Sequence, residues 1–83
     1  MNFCELRDDL TEYLNVHQLE KKWQKVKMLY EENTSHPSLN VELLEPKWLG
    51  IFSLRLDLKY RALFFIREDN TAEVISFTNH YKK

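Results

Sequence analysis

A chain of 83 residues, 43% hydrophobic and 13% aromatic, has the composition of one small globular domain rather than of a disordered segment. No apolar run approaches the roughly 20 residues that cross a bilayer, and residues 1–5 lack the basic start and apolar stretch of a secretory signal, so a cytoplasmic protein without membrane contact is expected. The single cysteine, Cys4, allows neither an internal disulfide nor a cysteine-built metal cluster, and a net charge of −1 argues against a general nucleic-acid binder.

The first expected element is a helix in which Leu6, Leu10, Tyr13 and Leu14 recur at helical spacing, with a short break at Asn15 and Val16. A second helix is expected over residues 17–33, with Leu19, Trp23, Val26, Leu29 and Tyr30 on one face and lysines and glutamates on the other; His17 would stand in its first turn. Asn33, Ser35 and Pro37 in "NTSHPSLN" end that helix, and His36 is read as ordering the connection. "NVELL" is a candidate short edge segment. After Pro46 the period changes to two: Phe52, Leu54, Leu56 and Leu58 alternate with Ser53, Arg55 and Asp57, the pattern of a strand with one buried face and one wet face. "YRALFFIR" is apolar on both faces and reads as the central strand; residues 68–71 form a turn, and "AEVISFT" returns as a further strand. The fold class is α+β, a single domain of two N-terminal helices packed on a small antiparallel sheet of three to four strands.

Charge is spread unevenly. Residues 1–45 carry nine acids and five bases, whereas residues 46–83 carry seven bases and four acids. In the basic half, Arg55 and Arg61 flank a tight turn at Leu58 and Lys59, which makes them neighbours on the wet face. Like charges facing each other in a sheet repel, so their closeness suggests an anion to be held; neutralisation by Asp57 or Glu42, or plain solvation of both side chains, is the alternative. His80 and Tyr81 follow the strand expected to pair with that of Arg61, and Glu42 or Glu45 can supply a carboxylate from the preceding segment. A histidine able to exchange a proton near neutral pH, a carboxylate base and an arginine clamp, with no metal-ligand cluster and no glycine loop, are the equipment for cleaving RNA through its own 2′-hydroxyl.

The run "HPSLNVELLEPKWLGIFSLRLDLKYRALFFIREDNTAEVISFTNHYKK" resembles the RelE/ParE superfamily of type II toxins, in particular the YoeB-like and RelE-like messenger-RNA interferases, and the likeness extends over roughly residues 10–83. It rests on the order and spacing of "HPSL", an "SLRL" strand, "YRALF" and a terminal "HY". With Gly50 on the family's glycine before the first long strand, Glu42 falls on the catalytic glutamate, Arg61 on the arginine, and His80 and Tyr81 on the terminal pair. The resemblance implies that Glu42 takes the 2′-hydroxyl proton, that Arg61 stabilises the phosphorane, and that His80 with Tyr81 protonates the leaving 5′-oxygen or orients the phosphate. Arg55, Lys47 and Lys59 would be accessory phosphate contacts. No cofactor is implied, and the products would be a 2′,3′-cyclic phosphate and a 5′-hydroxyl.

The implied partners are messenger RNA on the ribosome and an antitoxin protein, with which the toxin forms a hetero-oligomer. The chain departs from the family's pattern in three ways: "ELLEPKW" replaces a lysine-rich segment, the net charge is slightly negative, and no strand is visible in "MNFCELRDD". A gyrase-inhibiting, ParE-like toxin that performs no chemistry and a decayed toxin that only binds its antitoxin are the alternatives. Trp23 and Trp48 are read as core or antitoxin-groove residues rather than base-stacking platforms.

Overall fold

A computed structural model describes residues 1–79. Two helices, α1 (Asp8–Val16) and α2 (Glu20–Glu32), precede a meander of four strands: β1 (Glu42–Leu43), β2 (Ile51–Arg55), β3 (Arg61–Ile66) and β4 (Ala72–Thr78). Every neighbouring pair is antiparallel and the strands lie in sequence order. The α+β class with helices leading an antiparallel sheet is therefore the observed architecture, and β3 is an inner strand as its apolar sequence requires.

The helix break falls at residues 17–19, later than the expected Asn15-Val16. The cause is a left-handed cap built without glycine: Gln18 has φ 57°, its N–H donates to the Asn15 carbonyl at 3.2 Å, and the Leu19 N–H donates to the Leu14 carbonyl at 2.8 Å. That bond pair is a Schellman motif, and its two flanking leucines, Leu14 and Leu19, are both buried in the core. His17 accordingly caps the end of α1 instead of opening α2; its ring lies 4.1 Å from that of Tyr13, and its Nδ1 is 3.3 Å from the Tyr60 hydroxyl. The α2 helix ends at Asn33, where the chain turns extended before a 3-10 turn at Pro37–Leu39. There His36 does order the connection: its Nδ1 accepts from the Ser38 N–H at 3.2 Å.

The core lies between the helices and one sheet face. Leu10, Leu14, Leu19, Trp23, Val26 and Tyr30 pack against Leu54, Ala62, Phe64, Val74 and Phe77, with Leu39 closing one end. Strict alternation would not bring both Val74 and Phe77 inward, because they are three residues apart. A β-bulge opposite Leu63 and Phe64 resolves this: Phe64 pairs with Val74 but Leu63 with Ser76, so Ile75 is the additional residue and the faces exchange beyond it. As a result Ser76 and Thr78 share the face of Leu63 and Arg61.

Leu58 departs from the expected alternation. The β2 strand ends at Arg55, and Leu58 stands 97% exposed on the β2–β3 turn. Asp57 shapes that turn by accepting from the N–H groups of Lys59 (2.8 Å) and Tyr60 (2.7 Å) through Oδ1. The N-terminal segment, in which no strand was expected, forms a parallel bridge to β4: the Cys4 N–H donates to the Ala72 carbonyl at 2.8 Å and the Ala72 N–H to the Asn2 carbonyl at 2.9 Å. Phe3 fixes the segment in place, with its ring 5.0 Å from Trp23, 4.9 Å from Tyr30 and 5.6 Å from Phe64.

Candidate active site

The open sheet face carries two adjacent cross-strand rows. In the first, Glu42 is the register partner of Ser53, Ser53 of Leu63, and Leu63 of Ser76; in the second, Arg55 is the partner of Arg61 and Arg61 of Thr78. Directly opposed residues project to the same side of a pleated sheet. Arg55 and Arg61 are thus neighbours across β2 and β3, as expected, although the loop between them is residues 57–59, closed by the Leu56 N–H on the Tyr60 carbonyl, and not the two-residue turn at Leu58 and Lys59.

Their environments differ. Arg61 is 3% exposed, so the solvated arginine considered from the sequence is excluded at that position. Taking a guanidinium out of water is costly unless its donors find acceptors. Here Nε donates to the Ser53 Oγ at 3.2 Å, while Nη2 donates to the same oxygen at 2.8 Å and to the Asn40 carbonyl at 2.9 Å. Asn40 presents that carbonyl from a left-handed conformation, φ 48°, which asparagine tolerates better than most residues. Since Ser53 is also the partner of Glu42, the arginine head is drawn toward the glutamate's row.

Ser53 itself is fully buried, although its position on the alternating β2 strand read as wet. Neither Ser53 nor the Asn40 backbone was identified from the sequence. The available signal was weak: a serine facing an arginine across a predicted hairpin. Glu42 is half-buried on β1, while Glu45 lies beyond the strand and is exposed, so the sheet brings Glu42 and not Glu45 to the row of Ser53.

Asp57 does not neutralise the arginine pair. Its Oδ2 accepts from Lys22 Nζ at 2.6 Å and its Oδ1 holds the turn. Burial works to raise the Asp57 pKa, but the Lys22 hydrogen bond and the two backbone donors outweigh it and hold the carboxyl below its ordinary value. Of the remaining candidate phosphate contacts, Arg55 is half-buried at the edge of a cleft beneath α2, whereas Lys59 is exposed with its ammonium 5.7 Å from the Tyr60 ring. Lys47 is exposed in a second 3-10 turn, Lys47–Leu49. Trp23 belongs to the core, and Trp48 is 82% exposed beside Lys47.

His80 and Tyr81 lie outside the described residues. The last residue of β4, Thr78, is the register partner of Arg61. No helix among the described residues is long and apolar enough to cross a membrane. Neither the family models nor the curated proteins compared with the chain give a match.

Proposed function

We propose that this chain is a toxin of the RelE/ParE superfamily, a metal-independent endoribonuclease that cuts messenger RNA on the ribosome and is held inactive by a partner antitoxin in the cytoplasm. The observation that carries the reading is the buried Arg61, fixed by Ser53 in the row of Glu42 on a sheet face whose last strand leads on, two residues beyond Thr78, to His80. In the proposed reaction Glu42 accepts the 2′-hydroxyl proton and the 2′-oxygen bonds to phosphorus. The bond to the 5′-oxygen then breaks, and that oxygen takes its proton from His80, with Tyr81 orienting the phosphate. Arg61 meets the charge that builds on the phosphorane oxygens, and Arg55, Lys47 and Lys59 hold flanking phosphates.

One observation favours a second reading. An arginine that is 3% exposed and bonded to a serine and a carbonyl has a structural task whatever else it does. A ParE-like toxin that occupies a gyrase surface without chemistry requires no more of Arg61 than that.

The two readings part on cleavage of messenger RNA by the purified protein on programmed ribosomes, with cut ends mapped by primer extension. Because Arg61 supports the fold, the decisive variants are Glu42→Gln and His80→Ala, each verified as folded by circular dichroism. Cutting by the wild type, reduced at least about a hundredfold in both variants, is the expected result. Intact RNA from folded wild-type protein would overturn the nuclease reading and make gyrase supercoiling the next assay.

A further inference from the structure

Between α2 and the β2–β3 turn lies a cleft of about 420 Å³ that takes no part in the proposed chemistry apart from sharing Arg55 at its edge. Its floor is aliphatic: Val26 and Leu56 are buried and Leu29 is half-buried. Three cations line it, Lys22 and Lys25 from α2 and Arg55 from the end of β2. Asp57 is the one acid of its lining among the described residues, and that carboxylate is already engaged by Lys22 at 2.6 Å. The Lys25 and Arg55 side chains make no hydrogen bond or ion pair among the described residues, so two positive charges in the lining of an apolar floor remain unmatched there.

Leu58 adds a second feature. It is 97% exposed, yet it is not on a loose loop: the Asp57 carboxylate caps the N–H groups of Lys59 and Tyr60, and the Leu56 N–H closes on the Tyr60 carbonyl at 2.9 Å. A rigid turn therefore holds a leucine in water at the lip of the cleft. An exposed apolar side chain on an ordered scaffold, next to unmatched charge, is the composition of an interaction surface rather than of solvent-facing polar decoration.

We infer that this cleft docks an acidic amphipathic segment of a partner protein, with aliphatic side chains seated on Val26, Leu29 and Leu58 and carboxylates reaching Lys25 and Arg55. Charge complementarity selects the acid, and the aliphatic floor selects a peptide over nucleic acid. Single-stranded RNA is held by stacking bases on aromatic side chains, and no aromatic residue among the described residues lines the cleft. The inference needs neither Glu42 nor His80, so it stands or falls separately from the nuclease reading.

The probe is a synthetic fluorescein-labelled 15-mer, three repeats of Glu-Leu-Leu-Glu-Glu, with the matching lysine peptide and a uridine 12-mer as the comparison ligands. Binding to the full chain is followed by anisotropy and by amide shifts in the nitrogen-15 spectrum. The expected result is saturable binding of the acidic peptide with shifts confined to residues 22–29 and 55–59. The doubly substituted Lys25→Glu, Arg55→Glu protein should lose about tenfold in affinity for the acidic peptide and gain affinity for the lysine peptide. Leu58→Ser, at a site too exposed to affect folding, should weaken binding severalfold. Three outcomes would overturn the inference: no binding of the acidic peptide at millimolar concentration, shifts elsewhere on the surface, or tighter binding of the uridine oligomer at the same residues, which would assign the cleft to RNA.

Discussion

The Ser53 hydroxyl accepts two hydrogen bonds from Arg61, from Nε at 3.2 Å and from Nη2 at 2.8 Å, and both residues are buried. Removing that oxygen would take away an acceptor that two nitrogens of a buried guanidinium share. Ser53→Ala is expected to lower stability by about 1.5–3 kcal/mol, measured by urea unfolding, whereas Ser53→Thr, which keeps the oxygen, should recover most of it. If the nuclease reading holds, Ser53→Ala should also reduce cleavage while the protein is still folded, because Arg61 is no longer held toward the row of Glu42.

Asp57 supplies an acid-sensitive contribution. Its folded-state pKa lies below the unfolded value, so its stabilisation is complete above about pH 4, near the unfolded pKa, and is lost as pH falls through the lower folded value. Lys22 is half-exposed, so the ion pair itself contributes under about 1 kcal/mol, and the turn's two N–H donors contribute the remainder. The difference in urea midpoint between wild type and Asp57→Asn should be constant from pH 7 to about pH 5 and should shrink toward pH 3. A difference that grew in acid would contradict this.

Phe3 touches Trp23, Tyr30 and Phe64, and through them ties the N-terminus to both layers. Phe3→Ala should cost about 3–5 kcal/mol, a large part of the roughly 5–10 kcal/mol that a domain of this size has. In the milder Phe3→Leu, hydrogen exchange should show the Cys4 and Ala72 amides, which hydrogen-bond between the segment and β4, losing protection before those of β2 and β3.

Gln18 sits at φ 57° with its side chain exposed, where glycine would carry no steric penalty. Gln18→Gly should stabilise the protein by about 0.5–1 kcal/mol, seen as a rise of roughly 2–8 °C in Tm. Asn40→Gly, by contrast, should give little, because asparagine already tolerates the left-handed region.

The elements with a long, regular period were legible in the sequence. The α2 face, the doubly apolar β3 and the turn at residues 68–71 appear where spacing put them, whereas the pairing of Arg55 with Arg61 depends on a loop one residue longer than the expected turn at Leu58 and Lys59. What escaped was set by contacts between residues distant in the chain. Gln18 caps a helix in a place where only glycine would have announced it. The bulge at Ile75 exchanges the faces of β4 without any glycine to mark it. The N-terminal bridge exists because Phe3 finds three aromatic rings, a fact that no local window of "MNFCELRDD" contains. Ser53 read as wet because alternation says which side a residue faces; it does not say that an arginine from the next strand will cover it.

The bridge between Phe3 and Ala72 joins two segments that lie far apart in the sequence. A growing chain cannot form it until β4 has been synthesised, and the aromatic cluster around Phe3 must wait as well, because Phe64 is also late. At roughly 5–20 residues per second, the nascent helices spend several seconds with Trp23 and Tyr30 uncovered, until Phe64 and Phe77 follow to bury them. A product truncated before β4 would lack the strand to which its N-terminal segment bridges and would be left open to proteases. The N-terminal segment is therefore docked only once β4 has emerged.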